Sequence, residues 1–96
     1  MGNITHEKIV YINIDDELNQ TVKGMISADY VERFIAEYKQ LCIRIKRLEK
    51  ILDDFYKSKI SFKPTDVELL KRQIIAMTDY REILEERARR EGINLD

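Results

Sequence analysis

The sequence predicts an all-α fold, an antiparallel two-helix hairpin that follows a short N-terminal extended or strand-like arm and assembles into a homo-oligomeric helical bundle. The composition is 44% hydrophobic and 36% charged with only three Gly and one Pro, which favours long helices and argues against disorder. Apolar residues recur at spacings of three and four over two long segments, as in amphipathic helices. Both segments also carry more apolar surface than one mutual interface needs.

The 96 residues fit one domain with four parts. An arm covers residues 1–26, a first helix residues 27–57, a turn residues 58–64 and a second helix residues 65–92. Within the arm, β-branched and aromatic residues alternate with others over residues 8–14, which indicates a short strand or an extended segment. The acidic run at residues 15–17 then begins one or two helical turns that stop at Gly24. A cation site at this run is the alternative, but helix capping is favoured.

The first helix has the more regular pattern. Ser27 is its predicted N-cap. Its seam repeats at heptad a and d spacing through Val31, Phe34, Tyr38, Leu41, Ile45, Leu48, Leu52 and Phe55.

The second helix follows Pro64, which ends helical conformation before it. Thr65 and Glu68 are predicted to form its capping box, and Gly92 its left-handed C-cap. Its main stripe comprises Val67, Leu70, Ile74, Met77, Leu84 and Ala88. A second stripe comprises Leu69, Ala76, Tyr80 and Ile83. Because two helices share only one interface, we expect the surplus stripe to meet another protomer.

Several function classes find no support in the sequence. The net charge of −1 lacks the basic footprint of nucleic-acid binding, and no apolar run is long enough to span a membrane. The lone Cys42 fits a reducing cytoplasm, and with His6 it makes no zinc-ligand set. The three glycines are isolated, so no phosphate-binding loop is present. We therefore expect a cytoplasmic protein with no cofactor, metal site or catalytic residue, and no enzyme activity.

Arg81 is the most informative polar residue, because it interrupts the main stripe of the second helix between Met77 and Leu84. A buried guanidinium is costly unless it is paired. One interpretation is a structural ion pair with a carboxylate of the facing helix, such as Glu37. The other is a pocket that receives an anionic ligand, with Tyr80 adjacent and Arg87 further along.

The helices resemble a family of small accessory proteins of crAss-like and other tailed phages over residues 28–90. The residues that carry the resemblance are Arg33, Glu37, Tyr38, Leu41, Arg44, Ile45, Leu48 and Glu49, then Leu69, Leu70, Gln73, Met77, Tyr80, Ile83, Leu84 and Arg87. The resemblance implies a phage origin. The architecture is also similar to the anti-CBASS and anti-Thoeris sponge proteins of phages, which are helical-hairpin oligomers that sequester nucleotide messengers without cleaving them.

This resemblance implies a phage anti-defence protein that sequesters a cyclic nucleotide or an ADP-ribose-type molecule. In that hypothesis Arg81, Arg87, Arg44 and Lys23 contact phosphates, and Tyr11 and Tyr80 stack on bases. Arg44 belongs to a basic cluster for which solvated surface is the simpler interpretation. The alternative hypothesis is a helical protein–protein interaction module that binds a host or virion protein through an exposed apolar stripe.

Overall fold

A computed structural model describes residues 16–96 of the chain, which form three α-helices. Helix α1 comprises Asp16–Met25, α2 comprises Tyr30–Tyr56 and α3 comprises Pro64–Glu91. No strand occurs among the described residues, and the all-α fold class is confirmed for them. The strand-like segment predicted at residues 8–14 lies outside the described residues, as does His6.

The chain divides into two compact units, the first ending at Glu37 and the second running from Tyr38 to Asp96. In the first unit, α1 lies very close to α2. A Cβ atom added at Gly24 would lie 2.7 Å from the Cβ atom of Ala36 and 3.3 Å from the backbone oxygen of Glu32. Gly24 is therefore needed for close packing, and α1 continues past this predicted stop to Met25.

The start of α2 differs from the predicted one. The Asp29 carboxylate accepts a hydrogen bond from the backbone N–H of Val31 at 3.0 Å, as an N-cap residue does. Ser27, the predicted N-cap, instead accepts the N–H of Asp29 at 3.0 Å and donates to the Glu32 carboxylate at 2.7 Å. The Ser27 prediction was wrong because Asp29, two residues later, supplies the capping oxygen.

Both ends of α3 follow from proline and glycine chemistry. Pro64 is the first helical residue and Lys63 the N-cap, with no side-chain capping hydrogen bond. The capping box predicted at Thr65 was wrong. The fixed φ of proline suits the first position of a helix, so α3 begins at Pro64, one residue before the predicted start. At the other end, Gly92 adopts the left-handed conformation with φ of 70°, which confirms the predicted C-cap.

The second unit has a core of residues from α2 and α3. Its buried hydrophobic residues are Leu41, Ile45, Val67, Leu84 and Ala88. Contacts between polar and aromatic side chains also join α2 to α3 among the described residues. The Tyr38 hydroxyl donates a hydrogen bond to the Glu85 carboxylate at 2.6 Å, and the ammonium of Lys71 lies 5.5 Å from the ring centroid of Tyr56. Tyr38, the earlier of the two α2 residues, thus contacts a residue late in α3. Tyr56, at the end of α2, contacts a residue early in α3.

Candidate ligand-binding face

Tyr38 and Glu85 form the polar centre of the second unit. The phenol of Tyr38 is half-buried within the apolar seam of α2, where a hydroxyl group needs a partner. The carboxylate of Glu85, on the inward side of α3, supplies it at 2.6 Å. The two residues are 47 positions apart in the sequence, so this hydrogen bond fixes one long-range pairing of the helices.

The environment of Tyr38 raises the pKa of its hydroxyl above the usual value for tyrosine. The largest cause is the hydrogen bond to Glu85, since a carboxylate acceptor stabilises the protonated phenol. Burial and the nearby Cys42 thiol act in the same direction. Tyr38 therefore remains a neutral hydrogen-bond donor at physiological pH.

Arg81 lies one turn before Glu85 on α3, on the same side of the helix. Its side chain is half-buried, and it forms no salt bridge with any carboxylate of residues 38–96. Glu37, the partner suggested by the sequence, belongs to the first unit, so that pairing stays a prediction. A guanidinium carries hydrogen-bond donors and no acceptor, so Arg81 is suited to an anionic partner.

Tyr80 and Arg87 occupy a different side of α3 from Arg81. They are seven residues apart, which is close to two helical turns, so both lie on the outward side. Tyr80 is exposed, and the guanidinium of Arg87 lies 3.6 Å from the carboxylate of Glu91. The structure therefore brings Tyr80 and Arg87 onto one side of α3 and leaves Arg81 on the other.

The remaining predicted site residues are scattered. Arg44 is exposed on α2 and forms no salt bridge within the described part of the chain. Lys23 is exposed in the last turn of α1, in the first unit. Tyr11 lies outside the described residues. The contribution of these three residues to a ligand site stays a prediction.

The heptad pattern predicts Tyr38 in the seam of the first helix but does not indicate Glu85 as its partner. A signal was present, because a tyrosine at a buried seam position requires an acceptor for its hydroxyl. Glu85 stands one turn after Arg81, next to the main stripe of the second helix, and was the available acceptor.

Residues 16–96 contain neither a cluster of metal ligands nor a membrane-spanning helix. No group of three or more His, Cys, Asp or Glu side chains in that range is placed to hold a metal ion. Within the same range, no helix has the length and apolar character needed to cross a membrane.

Comparison with known proteins places the chain in a family. The model of the family described as Sequestin matches residues 28–90, about two thirds of the sequence. The chain belongs to the Sequestin family. The matched segment contains all of α2 and all but the last residue of α3, including Tyr38, Arg81 and Glu85. No curated protein and no solved structure matches the chain.

The family description bears on the predicted function. The word Sequestin points to the sequestration of a molecule, and this is compatible with the sponge-like activity that the resemblance implied. It does not specify the molecule.

Proposed function

We propose that this protein is a phage-encoded, non-enzymatic anti-defence protein that sequesters a nucleotide-type immune second messenger in the cytoplasm of the host cell without cleaving it. Membership of the Sequestin family supports the sequestering activity. The observation that carries the ligand class is Arg81, a half-buried residue on the inward side of α3 that forms no salt bridge within residues 38–96. The planar fork of an arginine guanidinium suits the oxygens of a phosphate.

The proposed architecture is an antiparallel hairpin of α2 and α3 that assembles into a homo-oligomer. The Tyr38–Glu85 and Tyr56–Lys71 contacts support the antiparallel direction, because their order along α3 is the reverse of their order along α2. The assembly is supported by the apolar side chains that stay exposed on α3. An assembly also supplies residues from neighbouring copies to one ligand.

In the proposed site, Arg81 binds a phosphate group and the Tyr38–Glu85 pair holds that stretch of α3 in position. Tyr80 and Arg87, which share the outward side of α3, come from a neighbouring copy to stack on a base and to contact a second phosphate. Arg44, Lys23 and Tyr11 are further candidate contacts, and their roles rest on sequence reasoning. A bis-phosphate or pyrophosphate ligand such as a cyclic dinucleotide or an ADP-ribose derivative fits this donor set.

The direct test is capture and release of messengers. The purified protein is incubated with a panel of cyclic dinucleotides, cyclic trinucleotides and ADP-ribose derivatives, and the free nucleotide is quantified by liquid chromatography before and after heat denaturation. We expect one class to be withheld before heating and returned intact afterwards. A chemically altered nucleotide would show an enzyme instead. If no nucleotide is withheld and the protein captures a host protein, the interaction module replaces this proposal.

Variants of Arg81 test the site itself. Arg81→Ala is expected to abolish capture, and Arg81→Lys to weaken it strongly, because lysine keeps the charge but loses the bidentate fork. Lys46→Ala is the matched control, since Lys46 is an exposed cation on α2. Circular dichroism and native mass accompany each variant. If Arg81→Ala unfolds the protein or changes its native mass, while the equally stable Arg81→Lys captures normally, Arg81 is a structural residue and the proposed contact is wrong.

A further inference from the structure

The outward face of α3 carries an apolar stripe whose side chains stay exposed in the described part of the chain. Leu69, Ala76 and Ile83 follow one another at spacings of seven, so they lie along one side of the helix, and Tyr80 lies at one edge of this stripe. Leu69 and Ile83 are each 58% exposed and Tyr80 is 41% exposed. In contrast, Leu84, the residue after Ile83, is fully buried on the other side. Apolar stripes of this length commonly mark an interaction surface.

We propose that this outward face is a two-fold interface at which α3 of a second copy packs antiparallel to it. A two-fold interface uses the same patch on both chains, so the patch must complement itself. The stripe meets this requirement around Ala76. Leu69 and Ile83 stand seven residues to either side of it, and an antiparallel register centred on Ala76 therefore places each of them against the other in the second copy.

The small side chain at the centre of this register permits close contact. At the two-fold axis Ala76 faces Ala76 of the second copy, and two alanines allow helix axes to approach to the lower end of the usual 8–10 Å range. At each end of the contact, Leu69 of one copy packs against Ile83 of the other.

Charged residues along one edge of the stripe favour the same register. Arg72 and Asp79 are both exposed on this edge, and neither forms a salt bridge within the described part of the chain. In an antiparallel pair related by a two-fold axis, each edge faces the same edge of the partner helix. The register centred on Ala76 brings Arg72 within reach of Asp79 of the second copy, and symmetry forms this ion pair twice.

This interface deepens the assembly suggested under the proposed function and does not depend on any ligand. A single helix pair buries less than the roughly 800 Å² per partner of a standard interface. We therefore expect this contact to be reversible on dilution unless other surfaces of the assembly add to it. Its test accordingly uses covalent trapping as well as native mass.

The sharpest test is a symmetric disulfide at the two-fold axis. In a Cys42→Ala background, Ala76→Cys is expected to form a covalent dimer rapidly under mild oxidation, because the two sulfur atoms meet across the axis. Ile75→Cys is the matched control, since Ile75 is also exposed but lies about a third of a turn away. Equal rates of dimer formation for the two variants would overturn the proposed interface.

Substitution of the stripe provides the second measurement. Ile83→Glu is expected to lower the native mass in sedimentation experiments, whereas Ile75→Glu leaves it unchanged, although the two isoleucines are similarly exposed at 58% and 62%. Arg72→Glu is expected to weaken the dimer and Arg72→Glu with Asp79→Arg to restore it. If Ile83→Glu keeps the parent mass, or if the charge exchange fails to restore it, the register is wrong. All of these measurements omit nucleotide, so their failure is distinct from failure of messenger capture.

Discussion

The two sides of α3 carry similar apolar amino acids but differ in how much of these side chains is buried. On the inward side, Leu84 and Ala88 are fully or almost fully buried, and Arg81 and Glu85 are half-buried. On the outward side, Leu69 and Ile83 keep more than half of their surface exposed. Ile83 is thus 58% exposed, whereas the next residue, Leu84, is fully buried.

Hydrophobicity alone therefore does not identify the core of this protein. Leucine and isoleucine occupy both sides of α3, and what separates the sides is their order around the helix. Stability within one chain depends on the inward side, whereas the outward side is available to a partner. Substitutions on the two sides should therefore have different effects on stability and on assembly.

The largest difference is expected between Leu84→Ala and Ile83→Ala. Leu84 has no exposed surface, so its truncation leaves a cavity and should lower the free energy of unfolding by about 2–5 kcal/mol. Ile83→Ala should lower it by less than about 0.5 kcal/mol, because the side chain is mostly in water. Urea denaturation at low protein concentration, where copies dissociate, makes this measurement. Equal losses would show that the outward side is packed within one chain.

A smaller effect is expected from the polar pair on the inward side. Tyr38→Phe removes the hydrogen bond to the Glu85 carboxylate and leaves a half-buried acceptor without its donor. We expect the free energy of unfolding to fall by about 1–2 kcal/mol. Tyr38→Phe combined with Glu85→Leu should recover part of the loss, since both polar partners are then replaced. If Tyr38→Phe is neutral in urea denaturation, this pair does not stabilise the helix contact.

The same pair predicts a pH dependence. The pKa of Tyr38 is raised in the folded state, so its contribution to stability is complete below the pKa of unfolded tyrosine, about 10. The contribution is then lost as the pH rises through the higher folded-state value. The difference in unfolding free energy between the parent chain and Tyr38→Phe should stay constant between pH 7 and about 9 and shrink above about 10. A difference that grows with alkaline pH contradicts the direction of this shift.

The smallest effect is expected from the solvent-exposed ion pairs near the end of α3. Glu86 interacts with Arg89 and with Arg90, and these arginines hold the pKa of its carboxyl below the usual value. Because these groups are exposed, water and salt screen the attraction. Glu86→Gln should leave the midpoint of thermal unfolding unchanged within error. A clear fall in the midpoint would mean that these charges are shielded from solvent in the assembled protein.

The helices were predictable from the sequence because their signals are local and regular. The heptad spacing located α2, and Pro64 and Gly92 located the ends of α3. The residues that cap the helix starts were not predicted correctly, because Ser27 and Asp29 are both good N-caps and only the backbone path decides between them. The main and second stripes of α3 were recognised, but their exposure depends on tertiary packing that periodicity does not contain.

The candidate site was predictable only in part. Arg81 stood out because a charge interrupts an apolar stripe, and this argument needs only one helix. The pairing of Tyr38 with Glu85 requires the register between two helices, which no single segment specifies. The spacing along the second helix already separates Arg81, in the main stripe, from Tyr80, in the second stripe, but it does not show how much of either side chain is exposed.

The Tyr56–Lys71 and Tyr38–Glu85 contacts between α2 and α3 differ in how much chain lies between the two residues, and this predicts an order of folding. Tyr56 and Lys71 enclose only the residues around the turn, whereas Tyr38 and Glu85 enclose almost the whole of the second unit. Closing the longer loop first would cost about 1 kcal/mol more in chain entropy than closing the shorter one. We therefore expect the helices to pair from the turn outwards, so that the segment with Arg81 and Glu85 becomes ordered late. Native-state hydrogen exchange measures this order. The backbone amides around Arg81 and Glu85 should exchange with a lower opening free energy than the amides in the first turns of α3 after Pro64.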